Sequence, residues 1–244
     1  MAQIILTDVN IAWQEFNLTT DHNRVALNYG AEGKDDTVFG DTTRSSKGGL
    51  YTVAANGVGL WNSADDGVDE QLFADLGQAT RLITIAPDGW TAADYAYIFE
   101  AMSSQYTVGA QVGELLPFTW EARSEGSKLI RGTVLLQNTA LVASGNSAAI
   151  QLGAVTATQK IFAHLHVFGA TAGDTFDAVL QSASDQAFTT PNARATFTQV
   201  GATVTAERKS ANGAITDTWW RINYTIGGVS PSYNVLVVAG IVNN

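Results

Sequence analysis

The 244-residue sequence contains no cysteine, which excludes a disulfide framework, a thiolate metal site and a thiol nucleophile together. It has only three histidines, so combinations of nucleophile and base are few. No Gly-x-Ser-x-Gly elbow, phosphate-cradling glycine loop or His-Glu-x-x-His pair occurs. Carboxylate pairs can always be drawn from 23 Asp and Glu residues, so their presence decides nothing about glycoside chemistry. The reading is a protein that is not an enzyme and takes no cofactor. No apolar run approaches the roughly 18 residues of a membrane span. The start, MAQIILTDVN, lacks a basic segment followed by a long apolar one, so no ordinary secretory signal is expected. Synthesis and folding in the cytoplasm are the expectation.

Charge is sparse as well. Only 15% of residues are charged against 45% hydrophobic, which describes a folded chain able to bury a sizeable core. Gly, Thr, Ser and Ala are plentiful while Lys and Glu are few, which tilts the fold class to mainly β. The net charge of -10 is unevenly placed. Residues 1–137 hold 8 Lys+Arg and 18 Asp+Glu, and residues 138–244 hold 5 of each, so all the excess acid lies in the first half. An acidic surface repels phosphate and argues against tight nucleic-acid binding. It suits solubility, and equally a duct that passes DNA without holding it.

Along the chain, residues 3–7 and 9–18 carry strand-type residues, and Val25, Leu27 and Tyr29 alternate with polar neighbours. A long polar loop follows, then strands around Leu50–Val53 and Val58–Asn62. Asp65–Gly77 is the best helix: acid at its amino end, Val68, Leu72, Phe73 and Leu76 on one face, and Gly77 as terminator. Arg81–Ala86 is a strand ended by the turn Pro87-Asp88-Gly89. Residues 92–106 are ambiguous, since Ala, Glu and Met favour helix while Tyr, Ile and Phe favour strand. Leu115–Ala122 and Lys128–Gln137 read as a hairpin around Ser124-Glu125-Gly126-Ser127.

The uncharged stretch 138–149 is the expected linker between a domain at 1–137 and a second at 150–244. Beyond it six strands are expected, at Ile161–Phe168, Phe176–Gln181, Ala195–Val200, Val204–Arg208, Trp219–Ile226 and Tyr233–Val242, in an antiparallel sandwich. Trp220, Ile222, Tyr224 and Ile226 would face its core. The last strand is apolar on both faces, so either it is central in its sheet or a neighbouring subunit covers it.

The stretch Lys34–Trp61, KDDTVFGDTTRSSKGGLYTVAANGVGLW, organises the first half. A polar segment of about fifteen residues is long for a loop in a compact domain, and such loops are usually functional or disordered. Val38 and Phe39 within it would sit in water unless another surface covers them, which marks them as a docking anchor. The order Thr37, Phe39-Gly40-Asp41, Arg44, Gly49-Leu50, then Gly57, Gly59 and Trp61 resembles the tail tube proteins of long-tailed, non-contractile bacteriophages over roughly the first 135 residues. One departure is Gly48, where many relatives have proline.

The resemblance implies a tail-tube-type β-barrel or sandwich with one short helix, followed here by a β-sandwich domain, and an extended segment at 92–106. It also implies a loop, Thr37, Val38, Phe39, Gly40, Asp41, Arg44, Gly49 and Leu50, that reaches over a neighbouring subunit in a hexameric ring. The expected partners are then other copies in stacked rings and other tail proteins. DNA would pass the lumen without specific binding, no membrane is involved, and the location is the tail of a virion assembled in the host cytoplasm. With no internal repeat, six copies are preferred to three.

Other constellations were weighed. His164 and His166 share a strand face, the geometry of a two-histidine metal site, but no third ligand is near in sequence, so hydrogen-bonded surface or interface histidines are expected. Asp35, Asp36 and Asp41 lack calcium-loop spacing, and local side-chain-to-backbone bonds account for them better. Trp90, Trp120 and Trp219 could be sugar-stacking platforms of a carbohydrate-binding or adhesion sandwich; burial in a core or between subunits is preferred. Another virion part, such as a head decoration or tail terminator protein, is a third reading.

Overall fold

Short runs of β-branched and aromatic residues separated by glycine-rich turns give this chain 59% strand and 4% helix, in curled antiparallel sheets of the β-sandwich and barrel type. The computed structural model describes residues 9–63 and 67–243. The expected strand at 3–7 and the acids Asp65 and Asp66 lie outside them. In chain order the strands are β1 (Asn10–Trp13), β2 (Phe16–Asn17), β3 (His22–Asp35) and β4 (Ser46–Leu60), followed by the helix α1 (Val68–Ala74). Next come β5 (Arg81–Ala86), β6 (Tyr95–Val108), β7 (Pro117–Ser124), β8 (Ile130–Leu141), β9 (Gly145–Asn146) and β10 (Ile150–Gln151). The last six are β11 (Gln159–Gly169), β12 (Thr175–Ala183), β13 (Asn192–Thr196), β14 (Thr205–Asn212), β15 (Trp219–Gly227) and β16 (Tyr233–Asn243). The chain divides into two compact units interleaved in sequence. One holds the residues up to Thr20, Leu82–Ile98 and those from Ile130 on; the other holds Asp21–Arg81 and Phe99–Leu129. The uncharged stretch 138–149 contains the end of β8 and the short β9.

In the first unit two sheets face each other. One includes the run β14-β11-β16-β8, the other is β10-β15-β12-β13 with β9 on β15. Alternation along the strands decides what lies between them. Ile161, Ala163, Leu165 and Val167 of β11, Val235, Val237 and Ala239 of β16, and Trp220 and Ile222 of β15 meet in one buried cluster, with Tyr224 and Ile226 packed against it. Each such side chain contributes about 1.5–3 kcal/mol on burial. β16 is apolar on both faces because it is central, between β11 and β8. Its other face, Leu236 and Val238, joins a second cluster with Ala12, Ala86, Trp90, Ile98 and Val134.

In the second unit the hairpin β3–β4 pairs through β4 with β7, and β7 with the latter part of β6. Two expected strands, Leu50–Val53 and Val58–Asn62, are one continuous strand, because Gly57 and Gly59 extend it without interruption. Both positions require glycine for space: a Cβ at Gly57 would collide with the Trp120 indole nitrogen, and one at Gly59 with the Asp21 carbonyl. Trp120 is buried there and its Nε1–H donates to His22 Nε2.

Three expectations need correction, and one ambiguity is resolved. Residues 9–18 are not one strand but the tight hairpin β1–β2, turned at Gln14 with φ 52°. α1 buries Val68 and Leu72, yet Phe73 and Leu76 are exposed; a helix of seven residues is too short to present four apolar positions to one surface. Gly77, φ 76°, does end it, donating its N–H to Ser103. Residues 92–106 are strand from Tyr95. The Ser124–Ser127 turn is no hairpin: among the described residues β7 pairs with β4 and β6, and not with β8. Gly126 adopts φ 66°, but the residues after it pair with β6 and β16 and not with β7.

Candidate assembly surface

β4 pairs with β7 only from Ala54 to Leu60. Outward of that, Asn28–Asp35 and Ser46–Val53 pair only with each other, forming a two-stranded ribbon about 27 Å long. The loop between the strands is therefore ten residues, 36–45, and not fifteen. A ribbon with no third strand is marginally stable by itself, so its own side chains must hold it. Tyr29 and Tyr51 stack across it with ring centres 5.5 Å apart. Lys47 pairs across it with Asp36 at 3.0 Å, while Lys34 pairs with Glu32 at 2.7 Å along β3 itself. Gly49 sits close to Glu32, whose carbonyl would lie 3.1 Å from an added Cβ.

The loop is tied to itself. Asp36 N–H donates to the Ser45 carbonyl (3.1 Å), Thr37 N–H to Asp35 Oδ1 (2.9 Å) and Ser45 N–H to Thr37 Oγ1 (3.0 Å). Val38 N–H donates to Asp41 Oδ2 (3.0 Å), and Asp41 N–H returns to the Val38 carbonyl (3.1 Å). Gly40 supplies the φ of 105° that this turn needs. Hydrogen bonds from Thr37 hold the Asp35 carboxyl below its usual range, and those from Ser45 and then Lys47 do the same for Asp36. These are the local bonds expected of the three aspartates.

What the loop does not do is bury its apolar residues. Phe39 at the apex is fully exposed (108%), Val38 is 67% and Leu50 78% exposed. Thr37, Val38, Phe39, Gly40 and Asp41 thus come together at the tip. Arg44 lies beside it, exposed and without an ion pair among the described residues, while Gly49 and Leu50 lie along the ribbon. Sequence alternation reached only to Tyr29 on one side of this arm and from Leu50 on the other, because residues 30–35 and 46–49 are almost wholly exposed and carry no apolar alternation.

The histidine pair is not at the surface. His164 and His166 are both fully buried on β11. The Gln14 carbonyl lies 2.6 Å from His166 Nδ1, which must donate to it, so Nε2 accepts from the Thr84 hydroxyl at 2.7 Å. Among the described residues neither ring nitrogen of His164 has a hydrogen-bond partner. Among the described residues no cluster of three or more His, Asp, Glu or Cys could hold a metal. Trp90 and Trp120 are buried, Trp90 stacked on Phe168, and Trp219 is half-buried. A polar cluster in the first unit is closed on itself: Asp217 Oδ2 accepts from Ser182 (2.7 Å), Arg194 (2.9 Å) and Asn192 (3.0 Å). No helix among the described residues is long and apolar enough to cross a membrane.

No protein-family model matches the chain, and no curated protein matches it in sequence. Solved structures give distant likenesses. A chain from the virion of a native gene transfer agent particle is 17% identical, covering 50% of this chain and 95% of that one, with a TM-score of 0.39. The Dit protein of phage SPP1, described as a hub of the adsorption apparatus in phages infecting Gram-positive hosts, is 9% identical over 97% of this chain and 100% of its own, TM-score 0.40. A chain of the phage p2 baseplate in its activated conformation is 8% identical over 98% and 99%, TM-score 0.36.

Proposed function

We propose that the chain is a structural, non-enzymatic subunit of a phage-type tail, a tail tube protein whose copies close into a ring of six and stack into a conduit for DNA. The observation that supports this is the β3–β4 arm: a ribbon with a Tyr29–Tyr51 stack and a Lys47–Asp36 ion pair across it that carries a loop tied by its own hydrogen bonds, with Val38 and Phe39 exposed at the tip. An exposed apolar apex on a self-braced arm is costly to solubility unless a partner takes it up. A neighbouring copy is the natural partner, since ring closure also shields open sheet edges from unspecific pairing. In this reading Thr37, Val38, Phe39, Gly40, Asp41, Arg44, Gly49 and Leu50 clamp the adjacent subunit, and acidic residues of the first half line the lumen and repel phosphate. Other tail proteins meet the ends of the stack, and the place of action is the virion, after assembly in the host cytoplasm.

The test is Phe39→Asp. The side chain is fully exposed, so the variant should fold with an unchanged melting temperature. It should fail to form the higher assemblies that the parent protein forms in sedimentation. Unchanged assembly would remove the clamp.

A further inference from the structure

The first unit carries a groove of about 260 Å³ that the fold itself leaves open. The β8–β16 ladder stops at Thr133 opposite Ala239, although β8 continues paired with β6 to Ile130 and β16 with β11 to Asn243. Past that point the two facing strand edges no longer bond to each other. Gly132 and Gly240 line the gap: a Cβ on Gly132 would lie 2.8 Å from the Ala239 carbonyl, and one on Gly240 2.7 Å from the Arg131 carbonyl. Tyr95, Arg131, Thr133, Gln151, Leu152 and Ile241 complete the walls.

Arg131 is the distinctive member. Its guanidinium lies 3.9 Å from the centre of the Tyr95 ring, a cation–π stack that fixes the plane of the fork. No carboxylate among the described residues pairs with it. In a chain of net charge -10 this is an oriented cation waiting for an anion. Beside it stand the exposed face of Tyr95 and the half-buried Leu152 and Ile241, so an apolar group can enter with the charge. The volume is below the roughly 300–1,000 Å³ of a small-molecule pocket and suits one inserted side chain.

Resting on the ring-forming reading above, we propose that this groove receives the arm tip of a second copy, Phe39 entering beside Tyr95 and a tip carboxylate meeting Arg131. The tip has the complementary chemistry: between residues 35 and 41 it carries Asp35, Asp36 and Asp41, no cation, and the uncovered pair Val38 and Phe39. In a ring the contact is heterologous, the tip of each copy entering the groove of the next.

The test replaces Phe39 with the photoreactive analogue benzoylphenylalanine, which keeps an aromatic ring at the apex. The full-length protein is assembled, irradiated, and its crosslinked peptides are mapped. Crosslinks should join two copies and fall on peptides holding Tyr95, Arg131 or Gln151-Leu152. Arg131→Glu should fold normally and raise the concentration needed for assembly by at least about tenfold, because like charges would then meet at the contact. Crosslinks between copies at other residues would overturn the groove while leaving the clamp in place. Crosslinks within one copy, or no assembly at any concentration, would overturn the groove and the clamp together.

Discussion

Acidification should destabilise this protein through a residue buried in its first unit. His166 is fully buried, and burial lowers its pKa from 6.5 to about 4 despite the hydrogen bond to the Gln14 carbonyl. His164 beside it is lowered in the same direction, by burial and by the charges of His166 and Arg208. The folded state therefore cannot take the proton that the unfolded chain accepts below about pH 6.5. Stability is complete above that pH, falls as pH drops, and the loss levels off near the folded pKa of about 4. At about 1.36 kcal/mol per unit, His166 alone accounts for about 3 kcal/mol when fully expressed, and about 2 kcal/mol between about pH 7.5 and 5. Urea unfolding at a series of pH values measures it directly. The comparison is with His166→Gln, whose amide can still meet Gln14 and Thr84 but cannot titrate. The parent protein should lose about 2 kcal/mol more than the variant over that interval. Equal pH slopes in the two proteins would refute the argument.

Two further outcomes follow from the interior. His164→Leu removes an imidazole whose nitrogens have no partner and should leave stability unchanged or raise it by about 1 kcal/mol in urea unfolding, since an unmet buried polar group is costly. Gly57→Ala should lower stability by about 1–3 kcal/mol in the same measurement, because the new methyl must displace Trp120 from His22.

Strands with one buried face were legible in the sequence. Arg81–Ala86 and five of the six strands expected after residue 158 lie where alternating apolar residues placed them, because burial itself imposes the period of two; the one expected at Ala195–Val200 instead runs Asn192–Thr196. Trp220 and Ile222 point inward as expected, and the two-faced β16 is central. Where burial does not impose the pattern, the sequence misleads. Residues 30–35 and 46–49 of the β3–β4 arm are almost wholly exposed, so they look like loop. Gly126 and its polar neighbours look like a reversal, but the partner of the following strand is decided by β6 and β16, far away in the chain. The histidines are hidden for the same reason: the groups that bond His166 lie 82 and 152 residues away. Of the candidate site, the apolar pair Val38 and Phe39 was legible because it stands in a polar run. The groove around Arg131 was not, because it exists only where a ladder between distant strands ends.

Copies of this chain are proposed to build a hollow assembly. Negative-stain electron microscopy of the purified protein over a concentration series tests it most directly. Rings of six subunits, stacking into tubes as concentration rises, are the predicted result, with Phe39→Asp remaining as single particles. Compact monomers alone, at every concentration and salt condition, would contradict it.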